Sequence, residues 1–111
     1  MALDLKEDAE LIRQYEEWHK KGAVWPEILQ TLYDTTISDL EIYRVGNRMF
    51  MILEADENFS LEEKGKQDAN NPKVQEWEDK MWEFQKPLPF AKEGEKWLQM
   101  KRIFSLKAEK E

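Results

Sequence analysis

Five consecutive apolar residues, Met49-Phe-Met-Ile-Leu53, follow closely on the Gly46-Asn47 pair, and they constrain the fold more than any other stretch of this chain. A strand of that composition has no polar side to turn to water and must be covered on both faces. In a chain of 111 residues the helices can cover one face of a sheet, so the second face calls for a partner, and a homodimer is expected. The preceding stretch, residues 37–45, alternates instead, with Leu40 and Ile42 on one face and Glu41, Tyr43 and Val45 on the other. Gly46-Asn47 between them suits a tight hairpin turn.

The remaining elements are announced mostly by their ends. Ala2 to Leu5 alternates as a short strand would. Asp8 can cap a helix carrying Glu10 in its first turn, on which Leu11, Ile12, Tyr15, Trp18 and His19 share a face, and Lys20-Lys21-Gly22 supplies a C-terminal signal. Trp25-Pro26 opens a second helix with Ile28, Leu29, Leu32 and Tyr33 directed inward. Ser60-Leu-Glu-Glu63 is a capping box for a polar helix, and Asn71-Pro72 opens another on which Val74, Trp77, Glu78, Met81 and Phe84 recur at helical spacing. Pro87-Leu-Pro89 ends that helix, a loop passes through Gly94, and Met100 to Leu106 reads as a final strand. The order predicts an α+β fold, a ferredoxin-like β-α-β-β-α-β sandwich with an antiparallel sheet. Residues 1–106 form its single domain and 107–111 a charged tail.

Composition narrows the function classes. With 24 acidic against 17 basic residues the net charge is −7, which disfavours nucleic acid and anionic membrane surfaces as partners and makes polyphosphate substrates a poor match. A neutral, hydroxyl-rich molecule suits this field better. No cysteine is present, which removes thiolate chemistry, and a single histidine removes the ordinary zinc sites, so no metal is expected. Met49, Met51, Met81 and Met100 read as core filler, and no glycine-rich phosphate loop occurs. No stretch approaches the ~18 apolar residues of a membrane span, and the first residues resemble no signal peptide, so a cytoplasmic location is expected. Whatever chemistry exists should be proton transfer without a cofactor.

The candidate for that chemistry is the lone histidine. Tyr15 and His19 lie four apart and hence one above the other on a helix, so phenol and imidazole would share one volume. Histidine alone changes charge near neutral pH in its unperturbed state. A lone histidine late on a Glu- and Lys-rich helix is more often an ordinary surface or edge residue. Trp77 reads as core or as site, and Glu78, beside it and between Val74 and Met81, as helix edge or polar pocket. In a β-α-β-β-α-β sandwich both helices pack on one side of the sheet, so these residues can line a common cleft floored by the Leu40 strand.

Tyr15-x-x-x-His19, Val24-Trp-Pro-Glu27, Glu41-Ile-Tyr43 with the Gly46-Asn-Arg-x-Phe50 return, and Val74-Gln-Glu-Trp77 occur in an order that resembles the L-rhamnose mutarotase family from about Ala2 to Leu106. The resemblance implies a ferredoxin-like fold, a dimeric α+β barrel formed through the sheets, and interconversion of the α and β anomers of a 6-deoxy-aldose. It also implies that His19 is the proton-transferring residue, that Tyr15 contacts substrate, and that Trp77 is the first of an aromatic pair holding the sugar. The second aromatic of that pair is replaced by Glu78, and a tyrosine that some members carry in the second strand by Leu40. Both departures lie on the sugar-binding side and leave L-fucose open beside L-rhamnose. A ferredoxin-like oxygenase or haem-binding dimer, and a non-catalytic binding module, are the alternatives from other classes.

Overall fold

A computed structural model describes residues 1–111. Its elements are β1 (Ala2–Leu5), α1 (Ala9–Trp18), α2 (Pro26–Tyr33), β2 (Ile37–Val45), β3 (Arg48–Ala55), α3 (Leu61–Ala69), α4 (Pro72–Trp82), β4 (Gln85–Lys86) and a last helical turn, α5 (Leu106–Glu109). The four strands form one antiparallel sheet in the order β2-β3-β1-β4.

Helix starts follow the capping residues. Asp8 accepts the Leu11 N–H, Ser60 the Glu63 N–H, and Asn71 those of Lys73 and Val74, each satisfying donors that a helix N-terminus leaves free. Pro26 and Pro72 occupy first-turn positions where a missing N–H costs nothing. The β2–β3 hairpin pairs Val45 with Arg48 across Gly46-Asn47. Of the two turn residues only Gly46 takes a positive φ, 59°, placing glycine at the first central position as a type II′ turn requires.

One face of the sheet carries the core. Leu3, Leu5 and Met49 are fully buried there against Tyr15 of α1, Trp77 and Met81 of α4, and Phe84 just beyond it. The opposite face carries Tyr43 and Val45 of β2 and Phe50 and Ile52 of β3, and Tyr43, Val45 and Ile52 stand more than half exposed. Beside them Arg48 forks onto the buried carboxylate of Asp4 through Nε and Nη2 at 2.7 and 3.1 Å. The apolar hairpin strand is thus covered on its helix side only.

Two expectations are corrected. The final strand is not Met100 to Leu106. The free edge of β1 is taken by Gln85–Lys86 directly after α4 and then by Leu98, whose N–H and carbonyl both pair with Ala2. Two residues are too few to show alternation, whereas the Met100–Leu106 segment pairs with no strand, and Ile103 stands 90% exposed. Tyr33, expected to face inward, is 71% exposed at the last position of its eight-residue helix, where fraying leaves a side chain little to pack on.

Because Leu5 is fully enclosed by α1, α4 and the sheet, Leu5→Ala should cost about 2–5 kcal/mol. Urea unfolding should show that loss as a lower midpoint with an unchanged slope.

Candidate active site

A cavity of about 740 Å³ opens between the helices and the core face of the sheet. That is the range of small-molecule sites. Tyr15, His19, Leu40, Trp77 and Glu78 all line it. Residues far apart in the chain meet because α1 and α4 both pack on the Leu3–Met49 face, while Leu40 and Ile42 rise from β2 beneath them.

His19 is held by the way α1 ends. The helix closes at Trp18, and the His19 N–H turns to the Glu16 carbonyl at 3.1 Å. The last carbonyls of a helix need outside donors. The imidazole supplies one by donating Nδ1–H to the Tyr15 carbonyl at 2.7 Å. That bond fixes the tautomer, because a carbonyl can only accept, and Nε2 keeps its lone pair with no protein partner. The ring lies 4.2 Å from the Tyr15 ring centroid and 5.8 Å, edge-on, from that of Trp77. Burial lowers the His19 pKa, and the bond to the Tyr15 carbonyl opposes it only in part. The imidazole is therefore neutral at pH 7.

Tyr15 is almost wholly buried, and burial pushes its phenol up to about 12. Gln85 donates Nε2–H to the phenolic oxygen at 3.1 Å, leaving the phenolic proton without an acceptor in the protein. A neutral base and a neutral proton donor thus stand side by side.

The indole of Trp77 sits between those of Trp18 and Trp25, at 6.1 and 5.0 Å, so this residue is both core and wall. The cavity's charges are mostly paired internally. Lys64 holds both carboxylate oxygens of Asp68, at 2.6 and 2.8 Å, and Arg44 meets Glu16 at 2.7 Å. Lys96 lies 3.4 Å from the Glu78 carbonyl with its ammonium over the Trp82 ring. Burial lowers its pKa against the pull of Glu78 and Asp79.

Gln85, Lys96 and Trp97 were not singled out from the sequence. Gln85 sits in a two-residue strand, and Lys96 and Trp97 in a loop with no periodicity, so none carried a pattern. Lys64 and Asp68, four apart on a polar helix, were legible as an ion pair but not as cavity lining.

An imidazole and a phenol thus converge on one open-mouthed hollow of an α+β protein. A model of L-rhamnose mutarotase matches residues 1–106. An L-fucose mutarotase of Xanthomonas campestris pv. campestris is 46% identical over 104 residues, spanning 94% of this chain and 83% of that protein. A UPF0734 protein of Dictyostelium discoideum is 34% identical over 109 residues, spanning 95% and 86%. The crystal structure of an L-rhamnose mutarotase from Formosa agariphila shares the fold at a TM-score of 0.58 and 24% identity, over 79% of this chain and 78% of that one. The chain belongs to the L-rhamnose mutarotase family, and is an enzyme of the mutarotase, isomerase type.

The lowered pKa of His19 has a consequence for stability. Above pH 6.5, its ordinary value, the ring is neutral in both folded and unfolded chains. As pH falls below 6.5 the unfolded chain takes up the proton first, so stability is lost down to the folded pKa. The urea midpoint of the wild type should drop more steeply with acid over this window than that of His19→Gln.

Proposed function

We propose that this protein is a 6-deoxy-aldose mutarotase in which His19 acts as general base and Tyr15 as general acid. The observation that carries the reading is the Nδ1–H bond to the Tyr15 carbonyl, which directs Nε2 away from the helix end, while burial keeps that nitrogen unprotonated beside a phenol that retains its proton. In the ring-opening half, Nε2 removes the proton of the anomeric hydroxyl, the bond from C1 to the ring oxygen breaks, and the Tyr15 hydroxyl protonates that oxygen. The open-chain aldehyde turns about C1–C2 and closes from its other face, returning both protons. The demand on the enzyme is modest, since mutarotation proceeds unaided and acid–base catalysis adds about 10²–10⁴-fold.

Trp77 supplies an apolar wall for a ring face, Glu78 accepts hydrogen bonds from ring hydroxyls, and Leu40 leaves a small apolar floor. L-Fucose is the sugar we place first, ahead of the L-rhamnose expected from the family resemblance. The 46% identical relative is an L-fucose mutarotase, whereas the L-rhamnose enzyme of known structure stands at 24%. The carboxylate of Glu78 in place of a second aromatic ring is consistent with a changed hydroxyl pattern.

The reading extends to the assembly. The strand order β2-β3-β1-β4 suits a ferredoxin-like sandwich over residues 1–106. The open face with Tyr43, Val45, Phe50 and Ile52 suits a second copy packed sheet to sheet, closing a dimeric α+β barrel. A cytoplasmic enzyme that needs neither metal nor cofactor completes the proposal.

Saturation-transfer NMR on the anomeric protons of L-fucose and L-rhamnose tests it. The wild type should transfer saturation between anomers at low enzyme concentration, and the acceleration should fall as pH drops through the lowered pKa of His19. His19→Ala should abolish exchange while still binding sugar; full exchange in that variant would end the proposal.

A further inference from the structure

Gln85 is a glutamine the fold had no structural need to bury. Its backbone pairs with Leu5 on the edge of the sheet, a register any strand residue can fill. Its side chain is nonetheless 96% covered and turned to the core face, where it lines the cavity with Tyr15 and His19. One end of the amide is used, since Nε2–H donates to the Tyr15 hydroxyl. The other end is not, because Oε1 is buried with no hydrogen-bond partner. Buried acceptors are rarely left unmatched, and each exception calls for a reason.

We propose that Gln85 is a substrate-binding and positioning residue, its Oε1 accepting a hydrogen bond from a hydroxyl of the bound sugar while its Nε2–H orients the Tyr15 phenol. The inference rests on the mutarotase reading and assigns a further residue to the same site. The two ends of the amide have complementary tasks. Nε2–H occupies a lone pair of the phenolic oxygen, so the phenol can donate only toward the cavity. Oε1 offers substrate an acceptor without charge, whereas a carboxylate here would favour a protonated His19 and remove the base. A sugar hydroxyl, which must exchange its water on entry, is the donor this orphan acceptor fits.

Two substitutions separate the two ends. Gln85→Met keeps the length of the side chain and removes both polar groups. It should raise KM for L-fucose about tenfold, the value of one lost hydrogen bond, and lower kcat as well, since the Nε2–H bond that orients the Tyr15 phenol goes with it. Gln85→Glu keeps an acceptor for substrate but draws the phenolic proton to itself. It should hold KM within about threefold of wild type while kcat falls about tenfold or more. A glutamine that serves only packing predicts a lowered midpoint in Gln85→Met with KM unchanged, and that unchanged KM overturns the assignment. So does a Gln85→Glu variant with wild-type kcat. Wild-type protein that exchanges neither L-fucose nor L-rhamnose overturns the mutarotase reading itself. Wild-type exchange with an unaffected Gln85→Met variant overturns the role of Gln85 alone.

Discussion

A single hydrogen bond, from Nδ1–H of His19 to the carbonyl of Tyr15, joins the fold to the chemistry. In an uninterrupted helix that carbonyl would accept the backbone N–H of residue 19. Here the helix stops one residue earlier, the N–H goes to Glu16, and the side chain of the same histidine takes over as cap. The need to satisfy a helix end thereby sets the imidazole's tautomer, its tilt over the Tyr15 ring and its free nitrogen. A residue fixed by backbone physics needs no neighbouring carboxylate to orient it, and none bonds to it. Absence of that negative charge is also why burial can hold the ring neutral at working pH.

The rest of the core walls in the phenol and partly covers the imidazole. β1 is the junction, with both edges paired and Leu3 and Leu5 driven into the core. On it rest α1 and α4, and the rings of Trp18, His19 and Trp25 meet that of Trp77 edge to face. Such contacts add about 0.5–1.5 kcal/mol each beyond the area they bury, so the cavity wall is rigid for reasons independent of catalysis. Burial pushes the two groups in opposite senses, the imidazole down and the phenol up to about 12, so that each favours its neutral form. Internal pairing of Lys64 with Asp68 and of Arg44 with Glu16 keeps an acidic chain from flooding its own cavity with charge.

What the sequence disclosed, and what it did not, divides along the range of the interactions. Caps, prolines and the Gly46 turn are local, and Asp8, Pro26, Ser60 and Asn71 marked four helices from their immediate neighbours. The Leu40–Ile42 alternation likewise told which face of β2 meets the cavity. β4 was missed because a two-residue strand has no periodicity and exists only through its partner β1, while the longer, more apolar Met100–Leu106 lies outside the sheet. Gln85 went unseen for that reason. The spacing of Tyr15 and His19 placed their rings together, but the helix was read as running past His19, so the cap that selects the tautomer was not foreseen. The five candidate residues do meet at one cavity; their individual roles remain those proposed above.

The tautomer is open to direct observation by ¹⁵N NMR of the imidazole, with a single histidine to assign. At pH 7 and without sugar the spectrum should show a protonated Nδ1 and an unprotonated Nε2. A ring carrying its proton on Nε2, or charged on both nitrogens, would contradict the account.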